Sequence, residues 1–110
     1  MPLPNPERAE VDPRKLTEYC LSIEHPVGKH KAAVFRAALG ITMTDAVLLR
    51  NWLLDAAASG EAVAGAADEF GQRYQLDFVA TTQIGSATIR SAWIVRAGED
   101  FPRLTTCYVH

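Results

Sequence analysis

Apolar residues recur every three or four positions through the first half of the chain and every second position through the last third. The first spacing is that of a helix with one buried stripe, the second that of a strand with one buried face. Asp12-Pro13 opens the first predicted helix, with aspartate as N-cap and proline where a missing N–H leaves no bond unmade. Leu16, Tyr19, Cys20 and Ile23 form its stripe, and Pro26 stops it. Gly28 opens a second helix that runs to about Leu39 and ends at Gly40. Its inward stripe is Lys31, Phe35, Ala38 and Leu39, which turns His30 nearly opposite to Lys31. Thr42-Met-Thr-Asp45 reads as a capping box for a third helix with Ala46, Leu49, Leu53 and Ala56 as core, widened by Leu48 and Trp52 and closed by Gly60.

Residues 60–71 are small and polar and read as a surface connection. Strands follow at Gln72–Ala80, Ala87–Arg96 and Arg103–Val109, separated by turns at Thr81–Ser86 and Gly98–Pro102. Helices followed by a meander predict one α+β domain over residues 1–110: an extended lead-in (1–11), a helical part (12–60) and an antiparallel sheet (72–109). Three N-terminal helices then pack on one face of a sheet of three to four strands. Tyr74, Leu76, Phe78, Ile89, Trp93 and Val95 face the helices, and Arg73, Gln75, Asp77 and Arg90 face away. On the last strand Cys107 and Val109 are assigned to the core, leaving Leu104, Thr106 and Tyr108 open. A slip of one residue reverses that choice, so Thr105 competes with Thr106.

Eleven basic and thirteen acidic side chains give a net charge of −2, which argues against indiscriminate polyanion binding. The charge is unevenly placed: no acidic residue occurs from His25 to Thr44, where His25-Pro-Val-Gly-Lys-His-Lys31 leads towards Arg36. Cys20 and Cys107 have no metal-ligand spacing, and two reduced thiols are expected ahead of a disulfide. No apolar run reaches membrane-spanning length, and the N-terminus has no signal-peptide pattern. The expectation is a cytoplasmic protein without membrane association.

Basic residues at a helix N-terminus oppose the helix dipole unless an anion is present, and free N–H groups at 28–31 would bind one. Solvated lysines are the plain alternative, with Lys31 stretched along the core edge. Arg90, Thr106 and Tyr108 add a cation, a hydroxyl and a phenol on the open sheet face, again with a solvated surface as the alternative. Ser91 falls inward, as a packed residue. Together these groups suit RNA cleavage by internal transfer from the 2′-OH. Histidine serves as base or acid, Lys31 and Arg90 hold phosphorane charge, and Tyr108 donates to the leaving oxygen or stacks on a base. No metal or other cofactor is called for.

Several stretches carry a resemblance: Leu3-Pro-Asn, Asp12-x-x-Lys15-Leu16-x-x-Tyr19, His25-Pro-x-Gly-Lys-His-Lys-Ala32 with Phe35, Gly71-x-Arg-Tyr74, and Arg90-x-x-Trp93 followed by Pro102-Arg-Leu-Thr-Thr-x-Tyr108. With them the chain resembles a family of small bacterial domains that look like barnase/EndoU/colicin/RelE-like ribonucleases. The resemblance implies helices on a sheet whose open face cuts RNA, and a toxin paired with a small, β-rich antitoxin protein. It places catalytic groups at His25, Lys31, Arg90, Thr106 and Tyr108, and substrate contacts at Lys29, His30, Arg36, Arg73 and Thr105. A non-catalytic module holding a phosphate-bearing ligand or partner protein is the alternative. An antitoxin or a structural homodimer is a third reading.

Overall fold

The computed structural model describes residues 1–110 and is an α+β domain with three α-helices and a four-stranded antiparallel sheet. The lead-in is not loose. Leu3 is buried, a 3₁₀ turn forms at Pro6–Arg8, and Glu10 makes a parallel bridge with Arg103. Helix α1 (Pro13–Lys15) is a single turn, capped by the Asp12 side chain on the Arg14 N–H at 3.0 Å. It runs into a π-helical turn at Leu16–Cys20, closed by Leu21 N–H on Leu16 O at 2.8 Å. This wider turn shifts the phase of the stripe by one residue. Leu16, Cys20 and Leu21 therefore enter the core, while Ile23, expected there, is 71% exposed.

Helix α2 (Gly28–Leu39) has the predicted bounds and ends on left-handed Gly40, at φ 69°. Its buried stripe is Gly28, Ala32, Phe35 and Leu39, so Lys31 borders the core without entering it. Gly28 is fixed by close approach: a β-carbon there would overlap the Tyr19 carbonyl oxygen. The capping box is formed in both halves around a 3₁₀ turn at Met43–Asp45, and helix α3 (Ala46–Ser59) buries Leu49, Leu53 and Ala56.

Strands β1 (Ala62–Asp68), β2 (Gly71–Thr81), β3 (Ser86–Arg96) and β4 (Arg103–Val109) lie in chain order in the sheet. Strand β1 corrects the reading of 60–71 as a connection. Its Ala-Val-Ala-Gly-Ala-Ala core has weak strand propensity, and as a bulged, exposed edge it carries little alternation to detect. Helix α2 packs over β3 and β4, and α3 over β2. Leu76, Ile89 and Trp93 are buried beneath them, flanked by Tyr74 and Phe78. Ser91 is wholly buried, donating to Leu76 O at 2.6 Å and accepting from Trp93 Nε1 at 2.9 Å.

On β4 the expected alternation breaks. Ala92 pairs with Thr106 but Trp93 pairs with Leu104, which leaves Thr105 as an extra residue. The bulge lets Leu104 and Cys107 both enter the core, so Leu104 is corrected from the open face to the buried one.

The Gly28 contact yields a stability test by urea denaturation. Gly28→Ala is expected to lose about 1–3 kcal/mol through overpacking. Gly65→Ala should stay within about 0.5 kcal/mol, since its β-carbon would make only ordinary contacts, the nearest at 3.6 Å.

Candidate functional site

The edge of the sheet at β4 is where the chemistry collects. The π turn presents Tyr19 towards this edge, and α2 brings Lys31 to it. Lys31 Nζ donates to the Tyr19 hydroxyl at 3.0 Å and lies 5.0 Å from the Tyr19 ring centre. It also lies 5.7 Å from the ring centre of Tyr108, on β4. The Tyr19 hydrogen bond holds the Lys31 pKa above its usual value, against a smaller opposing effect of burial, so the group stays an ammonium. Tyr19 also meets the His25 ring edge-on, at 4.8 Å between centres.

Tyr108 stands directly opposite Arg90 in the ladder, and Arg90 opposite Asp77. Arg90 binds Asp77 through Nε and Nη2, both at 3.0 Å, and the Tyr108 hydroxyl lies beside the same guanidinium. Arg90 lowers the pKa of the Asp77 carboxyl, partly opposed by burial. A continuous path therefore runs from His25 through Tyr19, Lys31 and Tyr108 to Arg90.

Two hollows open along this cluster. One, of about 270 Å³, is lined by His30, Lys31, Val34, Tyr108 and Val109. The other, of about 450 Å³, is lined by residues including Lys15, Glu18, Tyr19, His25 and Thr105. A larger cavity, about 810 Å³, lies apart from this chemistry, between Leu21, Ile23, Ala33, Arg36 and Met43.

The structure revises several expectations. His25 Nδ1 accepts from the N–H groups of Val27 and Gly28, at 3.0 and 2.9 Å, so its hydrogen sits on Nε2. Lys29 N–H bonds to His25 O, and His30 N–H to Val27 O at 3.4 Å. The mouth of α2 is thus closed by the chain itself and is not an open anion cradle. His30 does not point away from Lys31 but lines the same hollow, with an exposed ring that makes no hydrogen bond. Thr106 pairs with Ala92, two positions before Tyr108, and its hydroxyl lies 3.8 Å from Cys20 Sγ; Thr105 lines the His25 hollow while donating to Ala92 O at 3.1 Å.

Three other residues stand outside the cluster. Arg36 belongs to the apolar groove, five residues on from Lys31 and so on another face of α2. Arg73 is bound to Asp68 at 2.6 Å and sits four residues from Asp77 along β2, about 13 Å away. Lys29 is exposed without a partner. Sequence reasoning missed Tyr19 and Asp77 as members of the site. A tyrosine on a buried stripe is itself a signal, because its hydroxyl needs a partner; Asp77 becomes visible only once the strand register is known.

The family model that matches this chain over residues 2–110 describes a domain of unknown function, DUF6883. The chain belongs to that family. No curated protein and no solved structure matches it.

Two outcomes test this geometry. Removing the His25 cap in His25→Ala should lower stability by about 1 kcal/mol in urea denaturation, whereas His25→Asn, whose side-chain oxygen can accept the same N–H groups, should lose less than half of that. The Asp77–Arg90 pair adds a pH signature. A lowered carboxyl pKa means its stabilisation is full above the unfolded value, near about 4, and is lost as pH falls through the lower folded value. Asp77→Asn should therefore be less stable than wild type at pH 7, by under about 1 kcal/mol for a partly exposed pair, and the difference should shrink as pH falls below the ordinary carboxylate range.

Proposed function

We propose that the protein is a metal-independent endoribonuclease toxin of a toxin–antitoxin pair, cleaving tRNA or mRNA by transesterification from the 2′-OH. The observation that carries this reading is the Lys31 ammonium, held between the rings of Tyr19 and Tyr108 with Arg90 beside the Tyr108 hydroxyl. In the proposed mechanism the imidazole of His30, exposed and without a hydrogen bond, takes the proton from the 2′-OH. The 2′-oxygen attacks phosphorus, and Lys31 faces the charge that develops on the non-bridging oxygens. The Tyr108 hydroxyl gives its proton to the departing 5′-oxygen, with Arg90 stabilising the phenolate left behind. His25, its lone pair already occupied, positions the turn into α2 and offers Nε2–H to the neighbouring hollow. The likeness to barnase/EndoU/colicin/RelE-like ribonucleases supports this reading and brings with it a small, β-rich antitoxin as partner.

One observation favours the second reading, a non-catalytic module for a phosphate-bearing ligand or a partner protein. Three of the four sheet arginines, Arg73, Arg90 and Arg103, are neutralised by carboxylates.

Incubation of purified protein with bulk tRNA and mRNA in the presence of EDTA separates the two. Cleavage leaving 2′,3′-cyclic phosphate ends is expected, with His30→Ala, Lys31→Met and Tyr108→Phe each slower by roughly 10²-fold or more and His25→Asn near wild type. Intact RNA, together with no growth arrest on induction of the wild type, would overturn the nuclease reading and leave the binding module.

A further inference from the structure

Cys20 and Cys107 lie 87 residues apart in sequence and belong to the same buried cluster beneath this site. Both are free thiols with no exposed surface. Cys20 closes the π turn and Cys107 follows the bulge of β4. Cys20 Sγ is 3.8 Å from the hydroxyl of Thr106, the residue before Cys107. The neighbours matter as much as the contact: Cys20 follows Tyr19 and Cys107 precedes Tyr108, the two rings that flank Lys31.

From this arrangement we infer that Cys20 and Cys107 are an oxidation site, joined by peroxide into an intramolecular disulfide that staples the two aromatic walls of the Lys31 site together. The chemistry balances within the pair and its oxidant. The Cys20 thiolate attacks one oxygen of hydrogen peroxide, giving a sulfenic acid and hydroxide, which takes up the proton that the thiol lost. The Cys107 sulfur then attacks the Cys20 sulfur, forming the S–S bond and expelling the second oxygen as water. Two thiols are oxidised and one peroxide becomes two waters. Cys20 is suited to the first step. Contact with the Cys107 thiol lowers its pKa to about 7, against the effect of burial, and the Thr106 hydroxyl and the Lys31 ammonium add to the lowering. Cys107 is shifted the other way, because a charged Cys20 and its own burial both disfavour a second thiolate. With the Thr106 hydroxyl 3.8 Å from its sulfur, Cys20 is written as the first nucleophile and Cys107 as the resolving thiol. Since neither sulfur is exposed, oxidation waits on a local opening of the 16–20 turn, and the reaction is slow and limited by that opening.

That the staple regulates catalysis rests on the nuclease reading, but its formation does not, and it is measured on protein without RNA. Full-length protein is treated with hydrogen peroxide under native conditions, unfolded in the presence of N-ethylmaleimide and weighed. The expected product is a monomer two mass units lighter, with no maleimide adduct and a cross-linked peptide pair containing residues 20 and 107. Its melting temperature is expected to rise by several degrees and to return on reduction with dithiothreitol, because a long loop has been closed. Cys20→Ser and Cys107→Ser should each keep one thiol and show neither change. Two maleimide adducts after treatment, disulfide-linked dimers, or an oxidised monomer that melts lower than the reduced one would overturn the inference. RNA cleavage that is absent before and after oxidation would remove the regulatory role and leave the disulfide standing.

Discussion

Tyr19 is clamped at both ends. Its carbonyl lies against Gly28, where no side chain fits, and its hydroxyl accepts from Lys31. These contacts decide where α2 begins and how it lies against β4, and they leave an ammonium group at the sheet edge with an aromatic ring on either side. His25 completes the clamp from between them, its ring on Tyr19 and its lone pair on the first N–H groups of α2. A helix start that looks like an anion site in one dimension is closed in three. The positive charge left without a carboxylate partner sits on Lys31 at this edge and, away from it, on Lys15, Lys29, Arg36, Arg50 and Arg96.

Ion pairing sets that pattern. Arg73, Arg90 and Arg103 each hold a carboxylate, and Asp12, Asp68, Asp77, Glu99 and Asp100 each have a pKa lowered by an arginine partner. A sheet paired in this way offers little uncompensated field to a polyanion, in keeping with the mild net negative charge. Recognition of a nucleic acid by this surface would be local, centred on one ammonium and the aromatic faces beside it, and would depend less steeply on salt than binding by a basic patch.

Much of the architecture was legible because regular elements write regular patterns. The stripe Leu49, Leu53, Ala56 and the alternation Tyr74, Leu76, Phe78 are read correctly from spacing alone, and Gly40 marks a true helix end. Strand β1 was not legible, since small residues on an exposed edge have nothing to alternate. The grouping of side chains was legible more than their local bonding. Lys31, Arg90, Tyr108 and His25 meet as their chemistry suggested, yet the tautomer of His25 and the availability of His30 depend on backbone bonds that no composition reveals. Leu48, expected to widen the α3 stripe, is 41% exposed, while the misplacements of Ile23 and Leu104 share one cause: a single inserted residue in an otherwise periodic element.

Those two insertions lie on either side of one contact, the 3.8 Å approach of Cys20 to Thr106. Where an extra residue interrupts a helix and another interrupts the strand facing it, the side chains between them are released from the periodicity that binds their neighbours. The hydrophobic code upstream and downstream can then stay fixed while this short span changes identity or direction. The domain in effect sets this contact on a pair of expansion joints, held in a frame whose register on either side is kept by its own periodic stripes.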